Sequence, residues 1–332
     1  MATDNFTKIV DVIREEESFL VASHFLPDGD SVGSSLALAR SLIRNGKRVM
    51  LFNRDPIPVK YQFLNHADLS ALMINDFAGD AAKTNLVVLD CSDFSRSGLL
   101  PELKNSFKTL INIDHHVTNE YYGTANLVVP EAAATGEIIY ELLRHGHFFI
   151  DDHIATALYV AIITDTGSFK FENTTSQTHR IVADLLNYDI DVAAISQRIF
   201  DEKPLVYFMI LKKALSTLEL WEGDRIAALT VSRDLLVQEG ADMEILDGMI
   251  NYTKNIDGVE VGILFFIDQD NEIKVGLRSK NVDVSVIADR FGGGGHVRAA
   301  GFRHKGPYHD LKRKTIAAAA RLIDTGTEGL GH

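Results

Sequence analysis

The stretch Leu110-Ile111-Asn112-Ile113-Asp114-His115-His116 decides how the chain is read. Leu110 to Ile113 is a short, mostly apolar run of the length of a buried strand. It ends in one acid and two imidazoles, groups that bind metals or move protons. A strand ending this way sets those groups at one rim of a sheet, where open α/β sheets hold their ligands. Other acidic clusters also follow apolar, strand-like runs in this chain.

Working outward, residues 4–17 have helical spacing, with apolar Phe6, Ile9, Val10 and Ile13. Phe19 to Ala22 reads as a strand that enters the turn-rich loop Ser23 to Asp30. A small-residue helix follows, Ser31 to Arg44, closed by Asn45-Gly46. Further strands are expected at Arg48–Asn53, Leu86–Leu89, Leu110–Ile113 and Asn126–Val129. Strand, loop, helix and strand in alternation predict a doubly wound parallel sheet in an α/β fold. Helices then dominate, at Ala132–His145, Asp151–Ile163 and Ser176–Asn187. Val192–Leu220 also reads as helical, interrupted at Pro204. After Trp221 the pattern turns to strands at Arg225–Val231, Glu260–Ile267 and Ile273–Ser279. The expected organisation is an N-terminal domain over residues 1–190, a helical connector over 191–221, and a smaller α/β domain over 222–332.

The chain has 332 residues, 46% of them hydrophobic, as in a packed globular protein. Its formal net charge is −13. That argues against a footprint on long duplex nucleic acid, which needs a broad basic face. Short anionic substrates in a locally basic, metal-loaded cleft stay open. One cysteine, Cys91, permits no internal disulfide and favours a cytoplasmic setting. Met1 to Val10 lacks the apolar core of a secretory signal. The apolar stretch Thr156 to Ile163 is too short to cross a membrane, so no membrane partner is expected.

His24, Asp28 and Asp30 share one expected loop, and their spacing lets an extended loop aim several ligands at one centre. Asp90 ends the third strand, and Asp165 follows the apolar helix segment Ala155–Ile163. Taken singly, each has a structural explanation. His24 reads as a surface or core histidine, Asp28 before Gly29 as a turn residue, Asp90 as a helix N-cap and Asp165 as a helix-end acid. Taken together, those explanations need four independent coincidences at element ends. Carboxylates mixed with imidazoles, without thiolate, suit Mn²⁺ or Mg²⁺ and also admit Zn²⁺, Fe²⁺ or Co²⁺. Six such ligands exceed the needs of one ion, whereas two ions sharing a bridging carboxylate use them all. Ions about 3.5–4 Å apart clamp the attacking and leaving oxygens in phosphoryl transfer.

His24-x-x-x-Asp28-x-Asp30, Asp90, Asp114-His115-His116 and Asp165 resemble, in order and spacing, the four motifs of DHH phosphoesterases. Phe291-Gly292-Gly293-Gly294-Gly295-His296 resembles the glycine-rich signature of the DHH-associated C-terminal domain. Within that superfamily the chain is similar to the nanoRNase and pAp-phosphatase (NrnA-like) group. The resemblance implies that His24 and Asp28 hold a first metal, that Asp30, His115 and Asp165 hold a second, and that Asp90 bridges both. It also implies that His116 contacts the phosphate or protonates the leaving group, and that Asp114 orients a histidine. In family terms Arg278 and Ser279 resemble substrate-phosphate contacts. Gly293, Gly294, Gly295 and His296 read as a loop whose backbone approaches substrate. Together they are expected to clamp substrate across an interdomain cleft.

The expected reaction is hydrolysis of a phosphoester in short oligoribonucleotides (nanoRNA) or 3′-phosphoadenosine 5′-phosphate (pAp), with two divalent ions, Mn²⁺ first. A cyclic-di-AMP or pApA phosphodiesterase is the nearest rival. Pyrophosphate hydrolysis fits less well for want of a lysine-rich anion grip in the C-terminal domain, and polyphosphate hydrolysis, which stays open, would favour a more basic cleft. A non-catalytic nucleotide-binding protein ranks below these, because every expected ligand type is present. A homodimer is left open, as are the roles of Cys91, Asp93 and Arg96. Cys91 reads as a soft ligand or a small packing residue.

Overall fold

The computed structural model describes residues 2–64, 69, 72–74 and 76–325. The chain divides into two compact units, Met1–Glu202 and Lys203–His332. The boundary falls inside the stretch expected to connect two domains.

Six strands form the sheet of the first unit: β1 (Ser18–Ser23), β2 (Arg48–Phe52), β3 (Met73–Ile74), β4 (Asn85–Leu89), β5 (Thr109–Asp114) and β6 (Ala125–Val128). All are parallel, in the order β3-β2-β1-β4-β5-β6. The two-residue strand β3 was not expected, being too short to show a period of two. The order reverses at β1, since the chain leaves β1 toward β2 and returns to β4 on the other side. Loops from the carboxyl ends of β1 and β4 therefore part, and a crevice opens between them.

The pairing register fixes what lines that crevice. Ser23 lies opposite Leu89, and Leu89 opposite Ile113. The residues that follow, His24, Asp90 and Asp114, thus leave three adjacent strands at one level. The strands are held by apolar side chains on both faces. Phe19, Val21, Val87, Leu89, Ile111 and Ile113 pack into one cluster, and Leu20, Ala22, Leu86, Val88 and Leu110 into another. This alternation is the period of two that a sheet imposes.

Helices α1 (Ala2–Glu15), α2 (Gly29–Arg44), α3 (Thr135–His145), α4 (Asp152–Asp165) and α5 (Ser176–Leu185) complete the main scaffold of this unit. Helix α2 begins two residues earlier than expected. Asp28 is its N-cap, with Ser31 N–H donating to Asp28 Oδ1 at 3.0 Å and Asp28 N–H donating to Ser31 Oγ at 2.9 Å. This reciprocal cap starts the helix at once. Asp30 therefore sits in the first helical turn, not in an extended loop. Helix α4 runs on to Asp165, so that acid ends the helix rather than following it.

Close packing of α2, α3 and α4 depends on small residues. A Cβ at Gly33 would lie 2.4 Å from the carbonyl oxygen of Ala157, and one at Gly136 would lie 2.6 Å from Ala161 Cβ. Any larger residue would force α4 away from its neighbours.

In the region expected to be helical, α6 (Val192–Ser196), a π-helical turn (Gln197–Asp201) and α7 (Leu205–Leu215) follow one another. Pro204 is the N-cap of α7, where its missing N–H costs nothing. The last part is not helical: Glu219–Trp221 forms β7, paired antiparallel with β8 (Ile226–Ser232). Next come α8 (Arg233–Gln238), α9 (Asn251–Lys254), β9 (Val261–Ile267), β10 (Glu272–Ser279), α10 (Ser285–Arg290), β11 (Gly294–His296), β12 (Ala299–Lys305) and α11 (Tyr308–Thr325). Their sheet has the order β11-β12-β10-β9-β8-β7, antiparallel except for β8 with β9.

The glycine run is only partly a loop. Gly294–His296 pairs with Ala299–Gly301 as an edge strand. A Cβ at Gly293 would lie 2.2 Å from the carbonyl oxygen of Gly301, so glycine there answers to close approach within the unit itself. Phe291 anchors the run by stacking on Phe302, with centroids 4.6 Å apart.

Gly33→Ala is expected to lower the stability of the first unit by about 1–3 kcal/mol through overpacking. Urea unfolding followed by circular dichroism should show a lower midpoint with an unchanged slope.

Candidate metal centre

Five chain segments deliver the polar side chains. The end of β1 supplies His24, the start of α2 supplies Asp28 and Asp30, and the end of β4 supplies Asp90. The end of β5 supplies Asp114, His115 and His116, and the last residue of α4 supplies Asp165. All six expected metal ligands come together. His24 Nε2 lies 3.7 Å from Asp28 Oδ2 and 3.5 Å from Asp90 Oδ2. His115 Nε2 lies 3.6 Å from Asp90 Oδ1, 3.4 Å from Asp165 Oδ2 and 3.9 Å from Asp30 Oδ2. Two separate triads result, His24–Asp28–Asp90 and Asp30–His115–Asp165, and a third group, Asp90–His115–His116, overlaps both, with the donor atoms of each within 4.8 Å of one another. The two oxygens of Asp90 face different triads. These separations exceed a hydrogen bond. They suit donors that share an ion at about 2.1 Å.

Hydrogen bonds from the far side of each ring set the imidazoles. His24 Nδ1 lies 2.8 Å from the Phe25 carbonyl oxygen, and His115 Nδ1 lies 3.2 Å from that of Ala132. A ring that donates through Nδ1 presents the Nε2 lone pair to the carboxylates.

Asp30 is held most firmly. Its Oδ2 accepts from Thr135 N–H at 2.6 Å, and its Oδ1 accepts from Gly136 N–H at 2.9 Å and from Ser34 Oγ at 2.9 Å. Helix α3 has Ala134 at its own N-cap, which has no side chain to offer. Asp30 caps it from α2 instead, so the same carboxylate closes a helix end and faces His115. Thr135 Oγ1 also donates to Asp90 Oδ1 at 3.3 Å. Asp90 itself is left-handed, with φ of 53°. Thr135 was not singled out from the sequence, because its place beside Asp90 depends on helix packing.

Charge in the cluster is unbalanced. Asp30 is 1% exposed and Asp90 2%. Among the described residues no lysine or arginine pairs with Asp28, Asp30, Asp90 or Asp165. Burial, with repulsion from Asp90, Asp165 and Asp28, holds Asp30 well above the usual carboxylate range. Burial and the Asp90 and Asp28 charges push Asp165 up to about 7, against the pull of His115. Burial would lower His24, but Asp28 and Asp90 outweigh it and raise it to about 10. Four carboxylates and two imidazoles, hard oxygen and borderline nitrogen donors, fit divalent cations.

Asp114 stands behind the triads. It is fully buried and accepts from His116 Nδ1 at 2.7 Å, from Asn119 Nδ2 at 2.6 Å and from His115 N–H at 2.9 Å. Burial raises its pKa, but the hydrogen bonds from His116 and Asn119 and the charges of His116 and His115 together outweigh this and lower it. Burial opposes charge on His116, while Asp114 and Asp90 raise its pKa overall. Cys91 packs in the apolar cluster beneath the sheet, donates to the Asp93 carbonyl at 3.0 Å and has its thiol pushed up to about 12 by burial. It is a packing residue. Asp93 caps the turn Phe94–Ser97 through Ser95 N–H instead of pairing with Arg96.

In the second unit, Arg278 is half-buried on β10 and donates to the Leu277 carbonyl at 3.0 Å. Burial lowers its pKa. Lys254 is also lowered, by burial and by the Arg278 and Lys280 charges, so cations gather at this end of the strand. Ser279 is buried, and its hydroxyl donates to the Val282 carbonyl at 2.5 Å. The backbone of His296 belongs to β11; its side chain lies outside the described residues.

A parallel sheet carrying paired His–Asp triads at its switch point defines an α/β protein with a candidate divalent-metal centre. The DHH family N-terminal domain matches residues 18–162, and the DHHA1 domain matches residues 223–324. The bifunctional oligoribonuclease and PAP phosphatase NrnA of Thermus thermophilus is 33% identical over 94% of this chain and 92% of its own length. The enzyme of the same name from Bacillus subtilis is 25% identical over 89% and 92%. An exopolyphosphatase-related protein from Bacteroides fragilis shares the fold, with a TM-score of 0.87 at 21% identity over 97% of this chain and 98% of that one. The chain belongs to the DHH family of phosphoesterases, hydrolases that depend on metal. Among the described residues no helix is long and apolar enough to cross a membrane.

Asp30→Ala is expected to destabilise the fold even in EDTA, by about 1–3 kcal/mol, because it strands two buried N–H groups at the start of α3. Chemical denaturation in the presence of chelator measures this apart from any metal effect.

Proposed function

We propose that the protein hydrolyses short oligoribonucleotides and 3′-phosphoadenosine 5′-phosphate, using two divalent ions of which Mn²⁺ is the first choice. The observation that carries this reading is Asp90, whose two oxygens face separate triads. The likeness to NrnA enzymes over nine-tenths of the chain supports the substrate class. His24, Asp28 and Asp90 would hold one ion, and Asp30, His115, Asp165 and Asp90 the other. Such ions supply Lewis acidity, activating water and neutralising charge on the phosphoryl oxygens.

The chain's own groups position and protonate. Thr135 and the end of β4 fix the Asp90 carboxylate. Asp114 takes the Nδ1 proton of His116 into a hydrogen bond and leaves Nε2 to face the leaving oxygen. Water forms its bond to phosphorus as the ester P–O bond breaks, the Nε2 proton passes to the departing oxygen, and the proton released by the water goes to solvent, from which His116 is reprotonated. In the second unit Arg278 grips a further phosphate, with the backbone of Gly293, Gly294, Gly295 and His296 beside it. The buried Ser279 shapes the end of that strand. A cytoplasmic setting suits such substrates.

The Cyclic-di-AMP phosphodiesterase PdeA of Listeria monocytogenes, 26% identical over 94% of this chain and 48% of its own length, favours a second reading. In that reading the substrate is a cyclic or linear diadenylate. Turnover of pAp and of di- to pentaribonucleotides with Mn²⁺ is expected to exceed turnover of cyclic di-AMP; the reverse order would install the second reading.

Asp90→Ala is expected to abolish metal-dependent hydrolysis and the rise in melting temperature on adding Mn²⁺, while the protein stays folded by circular dichroism. Wild-type turnover in that variant would sink the metal assignment. Arg278→Ala is expected to raise KM by about 10–100-fold with kcat little changed, the effect of removing a charged hydrogen bond. Steady-state kinetics on a diribonucleotide reads both constants.

A further inference from the structure

Asn119 makes contacts that the reaction outlined above does not yet use. It is buried, 7% exposed, in the turn that follows His116. Its own N–H donates to the His116 carbonyl at 3.1 Å, and its Oδ1 accepts from Tyr121 N–H at 2.7 Å. Those two bonds fix the amide so that Nδ2 points inward. Nδ2 then donates to Asp114 Oδ2 at 2.6 Å and reaches the Cys91 carbonyl at 3.4 Å. The other oxygen of Asp114, Oδ1, holds His116 Nδ1.

We infer that Asn119 is a positioning residue that locks the Asp114 carboxylate in plane and so aims His116 Nε2 at the leaving oxygen. The physical case is one of valence. Asp114 is fully buried, and among the described residues Asn119 is the partner of its Oδ2. A buried carboxylate oxygen left without a donor turns to find one. Rotation about the Cβ–Cγ bond would carry Oδ1 with it, and with Oδ1 the ring of His116. The second contact gives the arrangement a reference point. The Cys91 carbonyl also accepts from Tyr122 Oη at 3.0 Å and Asn112 Nδ2 at 3.3 Å, and Cys91 follows Asp90 in the chain. Glu120 N–H meets the Ser92 carbonyl at 2.9 Å. Asn119 therefore ties the orientation of His116 to the chain segment that carries the bridging acid. Groups two bonds removed from the chemistry commonly matter this much, at about 10–100-fold.

This inference rests on His116 acting at the leaving group, and a double-mutant cycle tests the two separately. Turnover of a diribonucleotide at saturating Mn²⁺ is measured for wild type, Asn119→Ala, His116→Ala and the double variant. Asn119→Ala is expected to lower kcat by about 10–100-fold with KM within about twofold and the Mn²⁺-induced rise in melting temperature retained. In the His116→Ala background the same change is expected to cost nothing further. Asn119→Asp removes the donor and sets a second carboxylate against Asp114, so it should lose kcat as well, and circular dichroism of both variants guards against misfolding. Full kcat in both Asn119 variants beside a crippled His116→Ala overturns the inference alone. Losses that multiply in the double variant overturn it too. Wild-type turnover in His116→Ala removes the acid role itself and the inference with it.

Discussion

The structure of the first unit depends on a register. Ser23, Leu89 and Ile113 stand opposite one another on adjacent parallel strands, so three strands end level. Parallel strands cannot slip by one residue without turning every side chain to the other face. With both faces packed by apolar clusters, such a slip would expose the core. The strand ends are thus fixed to better than one residue by the burial of Val21, Val87 and Ile111 two residues before them. The backbone positions of His24, Asp90 and Asp114 inherit that precision, and hydrogen bonds then orient their side chains.

A second layer of constraint comes from the helices. Glycine at 33 and 136 lets α2, α3 and α4 approach closely. That closeness brings Asp30 to the amides of Thr135 and Gly136, and it brings Asp165 to His115. The acid that caps α3 thus belongs to a different helix, and folding and ligand placement share one carboxylate. Repulsion among Asp30, Asp90 and Asp165 is built in by the same packing, and a divalent cation held there would relieve it.

The sequence made the parallel sheet and its rim legible because both are written locally. Apolar runs such as Leu86–Leu89 and Leu110–Ile113 announce buried strands, and acids at their ends announce a rim. His24, Asp90 and His115 converge for that reason, while Asp28, Asp30 and Asp165 reach the same rim from helix ends. What escaped was set by distance in the chain or by competing local chemistry. Thr135 and Asn119 earn their places from residues whose nearness only the fold creates or whose geometry only a turn fixes. Asp30 reads as a loop residue because Asp28 before Gly29 looks like a turn, whereas the reciprocal cap of Asp28 and Ser31 starts the helix there. Gly294–His296 read as loop because a run of glycines carries no strand period, yet β12 recruits it as an edge. Glu219–Trp221 lies at the end of a stretch that reads as helical, and its pairing with β8 makes it a strand.

The left-handed backbone at Asp90 sets stability and chemistry against each other. An L-residue held there is strained by about 1–2 kcal/mol, less for aspartate than for most. Its buried carboxylate adds repulsion from its acidic neighbours whenever no cation offsets it. Glycine at this position would relieve both at once. Selection for a sturdier fold alone would therefore drift toward losing the bridging acid. A stabilised descendant of this chain could keep every strand, helix and packing contact and still be inert, which makes side-chain identity at position 90 a better guide to activity among folded variants than their melting temperature.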